Sequence, residues 1–228
     1  MQTYTRTTGE SVQRPPDVAQ VLYGVVGLTK NLAIASANKQ ILCDAGVIEP
    51  CLALLGRSLD VIVPLQNAAI GVLKHLCAGN ISSSLKVVLP ASAPGASSIV
   101  TLQPINGDSS QASPLDDVLA LIARTNDVRL QCEATRLLVN VVRSLYSSRS
   151  ISSPVTPSAL DGLEMGIAKN KARKIIEGNA GVVDAISEMV RTGEKYPTLV
   201  NEGIVALVLL STTDAGGTFP YQRTKHGK

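Results

Sequence analysis

The chain has 228 residues, of which 45% are hydrophobic, enough to bury the core of one or two domains and too many for a disordered tail. Aromatics make up only 3%, with five Tyr, one Phe and no Trp, so the core must be Leu, Ile, Val and Ala, which suits thin stacked helices better than a sandwich or barrel. A net charge of +3 from 21 basic and 18 acidic residues is too even for a nucleic-acid footprint, and the longest apolar run, Ile204 to Leu210, falls far short of the roughly 20 residues of a membrane span.

Residues 1–16 are polar, end in Pro15-Pro16 and lack the apolar stretch of a secretory signal. They read as a flexible N-terminal segment, with the cytoplasm as default compartment and the nucleus as a second. From 17 to 212 the chain reads as helical repeats. Lys39, Ile41, Asp44, Ala45, Gly46, Val47, Ile48 and Glu49 can be laid on Lys174, Ile176, Asn179, Ala180, Gly181, Val182, Val183 and Asp184 at an offset of 135. Each copy reads as a short helix, a turn at glycine in a left-handed cap, and a second helix carrying Cys51, Leu54, Leu55 or Ile186, Met189, Val190.

A longer third helix follows, and four copies align when Asn31, His75, Asn140 and Leu209 are equivalent. The spacings are 44, 65 and 69 residues, one unit of roughly 40 to 47 and then two units with about 20 extra each. Ala69, Val72, Leu73, Leu76 and Ala134, Leu137, Leu138, Val141 follow the i, i+3, i+4, i+7 pattern of a buried helical stripe. The extra residues are assigned to Ser/Pro-rich loops at about 82–114 and 147–160; Val87 to Leu89 and Ile99 to Leu102 are too short to hold a hairpin alone and are read as loop. Asp116-Asp117 after Pro114 reads as the capped start of a helix. Residues 213–228 read as a flexible basic tail.

Cys43, Cys51, Cys77 and Cys132 stand singly in apolar helical patterns and read as reduced buried thiols, not as metal ligands. Only His75 and His226 are histidines, and no nucleophile with its base, acid–base pair or phosphate loop emerges. Neither a catalytic centre nor a cofactor is expected. The fold class is all-α, an armadillo-type α-solenoid: a right-handed superhelix of stacked helical repeats.

Particular residues carry a resemblance. Lys30-Asn31-Leu32-Ala33-Ile34, Asn38-Lys39 and Asp44-Ala45-Gly46-Val47 resemble one armadillo repeat of the Smg-type GDP-dissociation stimulators of Rho and Rap GTPases. Glu133 with Arg136-Leu137-Leu138 and Arg143 resembles the penultimate repeat of that family, with Thr135 where the family has Asn. Asn201-Glu202 with Val205-Ala206-Leu207 resembles its last repeat. The resemblance implies the C-terminal part of a longer solenoid that binds a small GTPase and stimulates GDP release or chaperones it. It implies no nucleic-acid partner, and the oligomeric state stays open. A peptide-binding adaptor and a non-autonomous solenoid fragment are the alternatives.

By the same resemblance, the third helices line a concave face, where Asn31, His75 and Asn140 would hold a partner's backbone, an amide being both donor and acceptor. Leu209 breaks that row. Arg136 and Arg143, with Lys30 and Lys74 beside them, would pair with acidic partner residues, and Asn201 and Glu202 would face the GTPase.

Overall fold

The pattern of apolar stripes and prolines fixes where the helices run, and the computed structural model describes residues 18–90, 113–147 and 159–212. Among them ten α-helices follow one another and no strand occurs. They are α1 (Val18–Leu32), α2 (Ser36–Asp44), α3 (Ile48–Ala53), α4 (Val63–Cys77), α5 (Ile81–Val88), α6 (Pro114–Arg124), α7 (Val128–Tyr146), α8 (Ala159–Glu177), α9 (Ala180–Thr192) and α10 (Pro197–Ser211), with a single 3-10 turn at Arg57–Leu59. Pro64, Pro114 and Pro197 stand at the first positions of α4, α6 and α10, where a missing N–H costs nothing.

Helices α1, α4, α7 and α10 pack in chain order, α1 on α4, α4 on α7 and α7 on α10. All eight residues of the two stripes, Ala69, Val72, Leu73, Leu76 and Ala134, Leu137, Leu138, Val141, are buried at these junctions. The shorter helices back this row: α6 and α9 pack on α7, and α5 packs against α3, α4 and α7.

Two expectations are corrected. The loop assigned from 82 begins no earlier than Leu89, because Ile81–Val88 is a helix with Leu85, Val87 and Val88 buried. Its serines serve the helix. The Asn80 side chain accepts from Ser83 N at 2.9 Å as the cap, and Ser84 Oγ donates to Asn80 O at 2.9 Å. The second correction concerns the turns. Gly46 has φ +74° and turns the chain as expected, but Gly181 already lies inside α9, because the Asn179 side chain caps that helix by accepting from Gly181 N at 3.1 Å. There the turn has no need of a left-handed residue. The helix before it, α8, is also longer than expected at 19 residues.

The expected N-terminal segment at 1–16, the tail at 213–228 and most of both insertions lie outside the described residues. Asp116 completes the cap expected of it: Ser113 and Asp116 form a reciprocal capping box at the start of α6.

Candidate functional site

The most extensive helix junction, that of α4 with α7, carries a line of ion pairs across the stack. Lys74 of α4 pairs with Glu133 of α7. Arg136, one turn on, donates from Nη1 to Glu133 Oε1 at 3.0 Å and from Nε and Nη2 to the two oxygens of Glu202 on α10 at 2.9 and 3.1 Å. Three layers are thereby joined by alternating charges. Burial works against the Glu133 carboxylate, but the bonds from Lys74 and Arg136 outweigh it and hold its pKa below the usual carboxylate range. The bonds to Glu202 and then Glu133 hold Arg136 still more firmly in its charged form.

Asn140, a turn further along α7, donates its Nδ2 to Lys74 O at 2.9 Å. Ser144, one turn beyond, donates to Cys77 O at 2.6 Å and accepts from Gly79 N at 3.0 Å. Carbonyls at the end of α4, which have no partner within their own helix, are thus satisfied from α7.

The residues named from the sequence therefore divide. Arg136 and Glu202 do come together, but with each other, and Asn140 bonds inward. His75 is half-buried near Lys74, and burial with the neighbouring Lys74, Lys30 and Lys39 lowers its pKa despite Glu133. Asn31, Arg143 and Asn201 are exposed. Leu209 is half-buried, so these third-helix positions do not present one uniform polar row.

A groove of about 1630 Å³ opens beside this line. It is lined by the first halves of α4 and α7, by α6 and α9, by the turn into α10, and by Tyr23 and Lys30 of α1. Arg136, Glu133 and Cys132 form part of its wall, α9 contributes Asp184 and Glu188, and α7 contributes Arg129. Tyr23 and Tyr196 line it too, 51% and 64% exposed. Those two tyrosines and Arg129 are absent from the residues singled out by repeat alignment. The tyrosines' one signal in the sequence is rarity, since the chain has only six aromatic residues besides histidine, five Tyr and one Phe, and Arg129 carries none.

Such a groove offers hydrogen bonds, charges of both signs and exposed aromatic faces, the inventory of a protein-binding surface. The thiol of Cys132 on its wall has a raised pKa, first through burial and then through Glu133. Comparison of the chain with protein-family models, with curated proteins and with solved structures finds no match.

Proposed function

We propose that the protein is a binding scaffold of the armadillo type, and that its partner is a small GTPase of the Rho/Rap class, whose GDP release it stimulates or which it chaperones. The groove across α4, α7 and the start of α10 carries this reading, because it places charges of both signs and two exposed tyrosines on a stack locked by the Lys74–Glu133–Arg136–Glu202 line. The succession of three-helix units, α2–α4, α5–α7 and α8–α10, and the resemblance of the residues around Asn31, Arg136 and Asn201 support it. A scaffold that prefers the nucleotide-free partner weakens nucleotide binding by the same coupling energy, and needs no catalytic side chain of its own. No helix among the described residues is long and apolar enough to cross a membrane. The adaptor alternative, built on a row of amides, has less support, since the Asn140 amide already bonds to Lys74 O.

The test is capture of purified Rho- and Rap-class GTPases, nucleotide-free, GDP-loaded and GTP-loaded, with release of a fluorescent GDP analogue as a second readout. Preferential capture of the nucleotide-free form, lost in a Tyr196→Ala, Arg129→Glu variant that melts normally, is the expected result. Equal capture of all three forms, or none, overturns the GTPase reading.

A further inference from the structure

Helix α1 has two unlike sides. One side meets α4: Val26 is buried, and the Lys30 stem lies so close to Gly71 that a Cβ there would sit 2.7 Å from Lys30 Cδ. The other side carries Val18, Val21, Val25, Leu28 and Leu32, which are 80%, 49%, 55%, 62% and 44% exposed. Their spacing alternates three and four residues through the whole helix, the seam by which one helix packs along another in a coiled coil. An exposed seam of this regularity is not scattered surface hydrophobicity.

We propose that this seam binds the α1 seam of a second copy of the chain across a two-fold axis, making a closed dimer. The inference stands apart from the proposed function. From Val18 to Thr29 the helix contains no Asp, Glu, Lys or Arg, so two identical seams meet without like charges opposed, and nothing on the seam selects a charged partner. With Leu22 and Ile34 at its margins, 36% and 57% exposed, the seam offers apolar area on the order of the ~800 Å² that each side of a standard interface buries. Residues 1–17 have only Met1, Tyr4 and Val12 as large apolar side chains besides their prolines, too few to supply a matching stripe. The seam is also self-matching. In a parallel pair about the two-fold axis each seam position meets its own counterpart, Val25 facing Val25, and the same contacts are made from both sides, as an isologous interface requires.

The experiment is sedimentation equilibrium of the full chain from low micromolar to sub-millimolar concentration, on wild type, Val25→Glu, Val25→Lys and an equimolar mixture of the two variants. Wild type is expected to be dimeric at the upper concentrations. Each variant alone should be monomeric, with unchanged circular dichroism and, at dilutions where wild type is also monomeric, unchanged melting, because Val25 is on the exposed side, and the mixture should regain dimer as Glu faces Lys. A monomeric wild type at every concentration overturns the proposal. So does a variant that still dimerises, a mixture that stays monomeric, or growth beyond dimer, the last pointing to head-to-tail stacking of α1 on the exposed Ile204 and Val208 of α10.

Discussion

Arg136 grips Glu202 with two nearly parallel hydrogen bonds, 2.9 and 3.1 Å long, and so fastens α7 to α10 at the edge of the groove. Two hydrogen bonds between charged groups in fork geometry are the strong kind, and removing the guanidinium leaves two carboxylates, Glu133 and Glu202, facing its empty place. Arg136→Ala is therefore expected to lower stability by about 2 kcal/mol. In thermal melts, a double-mutant cycle with Glu202→Ala should show the double variant losing clearly less than the sum of the singles. Strict additivity would mean that the pair contributes nothing.

Asn140→Ala should cost about 1 kcal/mol, read as a shift in the urea midpoint, because it leaves Lys74 O at the end of α4 without its donor. The exposed counterpart Asn31→Ala should change stability by less than about 0.5 kcal/mol. Equal effects at the two sites would contradict the assignment of the Asn140 amide to the α4–α7 junction.

Glycines give a pair of opposite sign. A Cβ at Gly203 would sit 2.4 Å from Val190 Cγ2 and 3.2 Å from Met189 Cε, so Gly203→Ala must push α10 off α9 and is expected to cost about 1–3 kcal/mol. Nothing lies within 4 Å of a Cβ at Gly24, and Gly24→Ala should stabilise by about 0.5–1 kcal/mol through helix propensity. Chemical denaturation of both variants checks it; destabilisation by Gly24→Ala would show that α1 is not the helix described.

Acid should weaken the fold in two steps. The pKa of His75 is lowered from 6.5 in the folded state, so above 6.5 both states hold it neutral, and as pH falls through that value the unfolded chain takes up the proton first and stability declines. Glu133 is lowered from 4.5, so its contribution is full above that pH and is lost as pH falls through its folded value. Melting temperatures across this range should show the upper step vanish in His75→Gln and persist in Asn31→Ala. An unchanged upper step in His75→Gln would refute the assignment.

Thiol labelling offers a check on the groove. Cys43, Cys51 and Cys77 are buried, and burial pushes Cys51 and Cys77 up to about 12, whereas Cys132 is half-exposed on the groove wall. Cys132 should be alkylated first in the native protein and the other three only on unfolding. If the groove holds the GTPase proposed above, adding that GTPase should protect Cys132. Uniform labelling of all four thiols, or labelling of Cys132 unaffected by a captured partner, would argue against this placement.

Helix identity was readable wherever an apolar stripe ran for two turns or more, as at Ala69 to Leu76 and Ala134 to Val141, because burial on one side writes a 3.6-residue period into the chain. Ile81–Val88 was not readable, since Ser82, Ser83 and Ser84 look like loop by composition, and only the burial of Ser83 and Ser84 shows otherwise. At Gly181 the aligned letters matched Gly46 while a neighbouring asparagine took over the work of the turn. The site was harder. A polar residue on a third helix reads the same whether it faces solvent or the next helix, and Arg136, Glu202 and Asn140 all found partners 66 residues away.

The bonds from α7 to the last turn of α4 recur one layer on, where Arg173 of α8 donates twice to Leu145 O near the end of α7, at 2.9 and 2.6 Å, while lying 5.0 Å from the centre of the Tyr146 ring. In each case the end of a long helix is finished by side chains that come later in the chain. At Lys74 O and Leu145 O the dependence runs toward the later layer, whose withdrawal bares these carbonyls, while Lys39 from the earlier side still holds Ala78 O at 2.6 Å and Cys77 O keeps Asn80 N and Ser84 Oγ. Under pulling or dilute denaturant the stack should peel from its C-terminal side, each departure leaving a frayed stump that makes the next departure easier.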